Sequence, residues 1–208
     1  MNKRTLEKID FAKEYRDLYT ASSKVKEVKA EKAAFLSVEG QGEPGGPAFQ
    51  SAIQQLYSLA YTTKFMLKNA GRLDFAVGKL ECLWPRCDYE HTPKSEWSWQ
   101  ILIRIPDSVS EKDLKQAREE ILKRHELDTS AVKRWTWTEG RCVQVMHIGP
   151  YDEVGKVYSA LDDFATANRL VTQAPGHEIY ISDPRRVPSA KLKTIVRLQV
   201  REAQVGKQ

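Results

Sequence analysis

The chain has 208 residues, of which 41% are apolar and 29% are charged, and its formal net charge is +5. This mixture is typical of a globular protein and excludes a disordered chain, a collagen-like repeat and a small disulfide scaffold. No stretch approaches the roughly 20 apolar residues of a membrane span, and the N-terminus carries no signal-peptide core. We therefore expect a cytoplasmic protein without a membrane partner.

The excess positive charge lies at the two ends of the chain. Residues 1–32 hold nine Lys or Arg against six Asp or Glu, and residues 185–208 hold seven against one. A nucleic-acid surface usually clusters its basic side chains on one face, so we expect no direct nucleic-acid binding. The four histidines lack metal-ligand spacing and the three cysteines are scattered. We therefore predict neither a metal site nor a cofactor.

The elements predicted from hydrophobic periodicity and turn signals fall into an N-terminal segment, a long domain and a short tail. The N-terminal segment, residues 1–32, contains a helix over 5–19 and a polar, Lys-rich linker. The tail is residues 202–208. The domain between them, residues 33–201, is predicted to contain, in order, a strand (33–40), a helix (48–67), strands (73–85, 97–106), a helix (110–125), extended segments (131–149), a helix (155–168) and strands (177–182, 191–200).

The order of elements in the domain repeats once, which indicates an internal duplication. The halves are roughly 33–130 and 131–201, and LYSLA (56–60) in the first parallels VYSAL (157–161) in the second. The predicted fold class is α+β, a duplicated strand-helix-strand-strand module whose antiparallel sheet carries its helices on one face. A pseudo-two-fold axis between the halves would leave a groove for a small ligand.

The stretch HEIYISDPRR (177–186) carries the strongest candidate for chemistry. Side chains alternate along a strand, so Glu178 and Tyr180 share one face while Ile179 and Ile181 take the other. If the first face is solvated, Glu178 is an ordinary surface carboxylate. If that face lines a groove, Glu178 is a partly desolvated acid with a raised pKa.

The five tryptophans form a second feature. Trp97 and Trp99 share one face of a predicted strand, and Trp135 and Trp137 share a face of another. Tryptophan in a core is common because it buries a large area, but paired rings on two strands also suit a wall for a flat ligand. Both interpretations stay open at this point.

Several of these segments resemble the GyrI-like small-molecule-binding family. They are HIGPYDEV (147–154), HEIYISDPRRVPSAKLKTIVRLQV (177–200), FLSVEGQG with the helix after it, and WSWQILIRIPD; the resemblance covers roughly residues 30–201. It implies a duplicated α+β module with a ligand groove in which Glu178 lies among aromatic side chains. It also implies a stand-alone member, because 32 residues leave too little chain for a helix-turn-helix region ahead of the domain.

Some stand-alone members that bear tryptophans are similar to enzymes that hydrolyse the cyclopropane of DNA-alkylating antibiotics of the yatakemycin and CC-1065 class. The resemblance implies Glu178 as general base or water-orienting group, with Tyr180 assisting through a hydrogen bond. Candidate contacts to a flat aromatic or cationic ligand are Trp97, Trp99, Trp137, Tyr57, Tyr151 and Met146. The alternatives are a drug-binding module without turnover and an interaction protein of the gyrase-inhibitor type, so the enzyme assignment stays open.

Overall fold

The computed structural model describes residues 6–85 and 91–203. Over these ranges it contains five α-helices, α1 (Phe11–Glu14), α2 (Arg16–Tyr19), α3 (Pro47–Asn69), α4 (Glu111–His125) and α5 (Gly155–Ala167). Its ten strands are β1 (Lys8–Ile9), β2 (Lys26–Ala30), β3 (Ala33–Gln41), β4 (Asp74–Phe75), β5 (Leu80–Trp84), β6 (Ser98–Ile105), β7 (Lys133–Trp137), β8 (Gly140–Ile148), β9 (Leu170–Tyr180) and β10 (Lys193–Glu202). The predicted α+β class with antiparallel strands is confirmed, and the order strand-helix-strand-strand occurs in both halves.

The chain divides into two compact units, which we call the first and the second unit. The described residues of the first unit are 6–14, 33–79 and 91–137, and those of the second are 15–32, 80–85 and 138–203. Strand β5 therefore belongs to the second unit, although it comes from the first half of the duplicated sequence. There it pairs with β9, with Cys82 opposite Glu178.

The first unit is built on the antiparallel strands β6, β3 and β7, in that order. Apolar side chains at alternate positions of β6, Ile101, Ile103 and Ile105, are fully buried, as expected for a sheet face covered by a helix. Helix α4 begins at a capping box, in which Ser110 and Asp113 exchange hydrogen bonds between side chain and backbone. This cap satisfies N–H groups that the first helical turn leaves unpaired.

The second unit is an antiparallel sheet of five strands in the order β2, β8, β10, β9 and β5. Helix α5 packs on one face of this sheet. Its buried and half-buried positions, Val154, Tyr158, Leu161 and Ala165, recur at helical spacing and join the apolar cluster that includes Val145 and Val196 of the strands. This face of the sheet is called the helix face below, and the other is called the rear face.

Residues 6–32 differ from the prediction of one helix and a linker; position 5, where the predicted helix begins, lies outside the described residues. The helix is interrupted at Tyr15, whose φ of −116° and ψ of 50° are not helical, so that α1 and α2 are two separate helical turns. The segment predicted as a linker contains β2, which pairs with β8. Three of the five residues of its sequence, KEVKA, are charged, a composition suited to a solvent-exposed sheet edge that gives a weak hydrophobic signal.

We expect Gly40→Ala to destabilise the first unit. Gly40 lies opposite Trp99 in the pairing of β3 with β6, and an added Cβ would overlap the indole ring. Such overpacking costs about 1–3 kcal/mol, and each kcal/mol lowers Tm by about 2–4 °C at this size. Thermal unfolding measures the effect. Gly155→Ala is the control, because nothing lies within 4 Å of its added Cβ; equal Tm values would contradict the close packing.

Candidate functional site

The candidate site centres on Glu178, whose side chain is buried on the helix face of the second unit. Glu178 pairs with Val196 of β10 on one side and with Cys82 of β5 on the other. Alternation along β9 places Tyr180 on the same face, as the sequence predicted. The helix face is covered by α5 rather than open to water, so only 9% of Glu178 is exposed.

Three neutral side chains surround the Glu178 carboxylate. The Tyr158 hydroxyl donates to Oε1 at 3.3 Å and the Tyr180 hydroxyl donates to Oε2 at 3.0 Å, and the neighbouring Trp84 indole also favours the ionised carboxylate. Burial nonetheless dominates and raises the pKa of Glu178 to about 7, against the opposing effect of these three side chains. Glu178 can therefore exchange a proton near neutral pH, as a general acid or base requires.

A glycine makes room for one of these donors. Gly176 lies two residues before Glu178 on the same face of β9, and an added Cβ there would collide with the hydroxyl and ring of Tyr158. The absence of a side chain lets the Tyr158 ring cross the strand and reach the carboxylate. Glycine in a strand often marks such a close approach.

Aromatic rings connect the carboxylate with the protein surface. Tyr151, in the turn before α5, is 39% exposed and packs edge-on against Tyr180, with ring centroids 5.3 Å apart. Tyr180 is half-buried and hydrogen-bonds Glu178. A flat ligand that displaces or stacks on the Tyr151 ring would therefore meet the Tyr180 phenol before the carboxylate.

The rear face of the same strands holds four buried ionisable side chains, which we call the rear cluster: Glu81, Glu139, His177 and Arg197. The His177 Nδ1 lies 3.1 Å from both oxygens of Glu139, and Nε2 lies 2.9 Å from Glu81. Arg197 donates to Glu139 at 2.9 Å. Two carboxylates thus face two cations, and each ring nitrogen of His177 has an acceptor.

The rear cluster holds its members in charged form. Although burial opposes it, Glu139 and Glu81 raise the pKa of His177 to about 9. Burial also opposes ionisation of Glu139, yet the charges of His177 and Arg197 lower the pKa of that carboxyl to about 2. Pairing thus offsets the cost of burying these charges, whereas the described side chains that donate to Glu178, the next residue along the strand, are neutral.

The residues predicted as ligand contacts do not all share one place. Tyr151 lies beside Tyr180 and Glu178, as described above. Met146 pairs with Ile195. The next pair along these strands, Val145 with Val196, lies on the helix face, so Met146 lies on the rear face, away from Glu178. Tyr57, in α3 of the first unit, stacks on Tyr61 with ring centroids 6.0 Å apart.

The tryptophans of the first unit do not form one slot. Trp99 pairs with Gly40 and Trp137 pairs with Ala33 along β3; these positions differ by an odd number, so the two rings lie on opposite faces of the strand. Trp99 is buried, with Phe49 packed edge-on at 5.1 Å. Trp99 is therefore part of the hydrophobic core. It does not form a wall for a flat ligand together with Trp137.

The remaining tryptophans also have specific partners. Trp137 stacks on Trp135 with ring centroids 5.3 Å apart, and both rings are half-buried. The Trp97 indole N–H donates to the carbonyl of Thr92 at 2.9 Å. Trp84, which was not predicted as a contact, is the tryptophan that reaches Glu178.

Sequence reasoning thus missed Trp84 and Tyr158. One signal for Tyr158 was present, because VYSAL places it on the buried stripe of α5, one helical turn after Val154 and almost one before Leu161. The partnership of β5 with β9 carries no such local signal, since residues 85–169 separate the two strands along the chain.

Two general features concern the described residues. Within 6–85 and 91–203, no group of three or more His, Cys, Asp or Glu side chains is arranged so that it could hold a metal ion. No helix in the same ranges combines the length and the apolar composition needed to cross a membrane.

The fold and site define a small-molecule-binding protein of duplicated α+β architecture, with a buried acid among aromatic rings. The family model of the GyrI-like small molecule binding domain matches residues 22–201. The chain therefore belongs to the GyrI-like family. No significant match is found among curated protein sequences.

Solved structures of similar chains agree with this assignment. A hydrolase from Listeria innocua is 37% identical, with a TM-score of 0.85, over 93% of this chain and 100% of its own. An uncharacterized conserved protein from Listeria innocua is 36% identical, with a TM-score of 0.88 and the same coverage. The C-terminal domain of EcmrR shares the fold at 16% identity, with a TM-score of 0.54 over 86% of this chain and 96% of that domain.

We expect Glu178 to lower the stability of the folded protein as pH rises. The pKa of Glu178 in the folded protein, about 7, exceeds the ordinary value of 4.5. Its contribution to the free energy of unfolding is therefore fully favourable below pH 4.5 and is lost as pH rises through 7. Glu178→Gln should therefore become more stable relative to wild type, by up to about 3 kcal/mol, between pH 4.5 and pH 8.5.

Urea unfolding at both pH values measures this difference. Other titrating groups are common to both proteins and cancel in the comparison. The matched control is Glu119→Gln, the same substitution at an exposed position of α4 in the first unit. A pH-independent difference for Glu178→Gln would show that Glu178 is not perturbed in the folded protein.

Proposed function

We propose that this protein hydrolyses flat, electrophilic small molecules, in particular the cyclopropane of DNA-alkylating antibiotics of the yatakemycin and CC-1065 class. The observation that carries the proposal is the buried carboxylate of Glu178, with a pKa raised to about 7 and aromatic rings between it and the surface. Membership of a small-molecule-binding family and the similarity to a hydrolase from Listeria innocua support it.

In the proposed reaction, Glu178 is the general base. The carboxylate accepts one hydrogen bond from Tyr158 and another from Tyr180, and its remaining lone pairs leave room for a water. The water oxygen attacks the cyclopropane methylene and its proton passes to the carboxylate. The broken carbon–carbon bond sends its electron pair into the conjugated carbonyl, which becomes a phenolate and then takes the proton from Glu178.

The aromatic side chains bind and orient the ligand in this proposal. Tyr151 and Trp84 provide ring surfaces, and Tyr180 combines a ring with a hydroxyl that fixes the carboxylate. Holding the electrophilic carbon against a positioned water replaces a bimolecular encounter, which is a large part of catalysis. Because Tyr180 itself is kept neutral, its pKa being raised by burial and by Glu178, it acts as a donor rather than as a second base.

A non-catalytic drug-binding role is the second candidate. When ionised, Glu178 is a buried negative charge whose hydrogen-bond donors, the Tyr158 and Tyr180 hydroxyls, are neutral. A flat cation stacked on the tyrosines would supply the missing positive charge and would displace the proton from Glu178. This role uses the same side chains without turnover.

We expect Glu178→Gln to lose hydrolysis by about a hundredfold or more, which is the usual contribution of a positioned base. The purified protein is incubated with a cyclopropane-bearing duocarmycin-type compound, and mass spectrometry counts product that is heavier by one water. Glu119→Gln should match wild type. Hydration in excess over protein supports the enzyme, whereas unaltered compound that co-purifies with the protein supports the binding module; full turnover by Glu178→Gln would remove Glu178 from the mechanism.

The pH dependence of the reaction separates a base from an acid. If Glu178 acts as the base, kcat/KM should rise with pH through about 7 and then level off, because only the carboxylate accepts the proton of water. A rate that falls through the same region would assign Glu178 the opposite role, as the acid that protonates the carbonyl. Initial rates between pH 5 and pH 9 decide between the two.

A further inference from the structure

The rear cluster lies directly behind the candidate site, on the same backbone. His177 and Glu178 are consecutive residues of β9 and point to opposite faces. On the rear face, His177 faces Glu139 through Nδ1 and Glu81 through Nε2. A neutral imidazole can donate from only one nitrogen, so this arrangement, with a carboxylate at each nitrogen, favours the imidazolium.

The N-terminal segment closes the rear cluster against water. Tyr19 donates its hydroxyl to Glu81 at 2.9 Å, and Arg197 donates to the carbonyl of Leu18. Gln144, which accepts from Arg197, donates in turn to the carbonyl of Asp17 at 2.8 Å. These contacts come from residues that precede the family match, which begins at residue 22. All four charged side chains are consequently buried, where charges interact over longer distances than in water.

Among the described residues, 6–85 and 91–203, no charge of comparable strength contacts Glu178 from its own side. The titratable groups around it on the helix face are neutral: Tyr180 of β9, Cys82 of β5, Tyr158 of α5 and Tyr151 of the preceding turn. Asp183 is half-buried and is paired with Arg185 at 2.9 Å, and His147 of β8 is engaged with the carbonyl of Pro150. Strand β10 presents the apolar Val196 at the paired position.

We propose that the rear cluster shifts the proton equilibrium that burial imposes on Glu178, with His177 as a positioning residue that holds a positive charge behind the reactive carboxylate and Glu81 as the partner that partly offsets it. The inference takes Glu178 as the reactive group and so rests on the proposed function. It concerns the ligand-free protein, and its test therefore needs no substrate.

The experiment measures the titration midpoint of Glu178 by NMR of its carboxyl carbon in four proteins. His177→Gln removes a positive charge and should raise the midpoint; Glu81→Gln removes a negative charge at nearly constant shape and should lower it, each by about half a pH unit or more. Tyr19→Phe removes a hydrogen bond to Glu81 but no charge, and should leave the midpoint in place while lowering Tm.

Opposite shifts in the two charge variants would support the proposal, because a merely structural disturbance has no reason to change sign with charge. Unmoved midpoints, or shifts that Tyr19→Phe reproduces, would overturn it. If His177→Gln does not fold, comparison of the Glu178 midpoint in Glu81→Gln with that in Tyr19→Phe still tests the proposal. Wild-type protein gives a further test: both ring nitrogens of His177 should carry protons at pH 7.5, and a neutral ring at that pH would also overturn the proposal.

A hydrolysis assay run on the same variants keeps the two ideas distinguishable. If the midpoint shifts as expected but no compound is hydrated, the electrostatic coupling stands and the proposed reaction fails. If hydration occurs but the midpoint does not respond to the rear cluster, the reaction stands and the coupling fails. When both hold, the pH at which kcat/KM reaches half its plateau should move with the NMR midpoint.

Discussion

The burial of both faces of β9 is the constraint on which the candidate site depends. Two consecutive residues, His177 and Glu178, place ionisable groups inside the protein on opposite sides of one backbone. Burying a charge is costly unless it is paired. His177 is paired twice, with Glu139 and Glu81, whereas in the described part of the chain Glu178 accepts from two neutral hydroxyls. The difference between two neighbours in one strand therefore separates a structural charge from a reactive one.

This arrangement makes the site a source of instability that the rest of the second unit must offset. The apolar cluster under α5 and the ion pairs of the rear cluster do so on the two faces of the same sheet. Gly176 illustrates the compromise locally: a larger residue would pack the strand better, but it would exclude the Tyr158 ring from the carboxylate. Natural proteins commonly break local rules at functional sites and compensate elsewhere.

The sequence predicts what depends on short-range patterns and misses what depends on partners far along the chain. Alternation along HEIYIS correctly places Glu178 and Tyr180 on one face, and repeated element order correctly indicates the duplicated α+β fold. Nothing near Trp84 signals that β5 joins β9. The rear cluster was equally invisible, because Glu81, Glu139 and Arg197 are distant in sequence and each alone resembles a surface charge. Strand β2 was predicted as a linker because its charged composition, which suits the edge of a sheet, gives little hydrophobic signal.

Comparison of equivalent positions in the two halves shows how the duplication separates scaffold from chemistry. The strand segments ILIRI (101–105) and TIVRL (194–198) occupy equivalent positions in the two halves. Both place a buried arginine on the face opposite the helices, Arg104 in the first unit and Arg197 in the second. Arg104 stacks over the Phe11 ring, with 4.9 Å to its centroid, whereas Arg197 meets a carboxylate. The equivalent tyrosines differ in the same way, because Tyr57 stacks on a neighbouring ring and Tyr158 bonds Glu178. Since the repeated positions share their place in the module but not their partners, the chemistry of the second unit arises from acids added around a common scaffold.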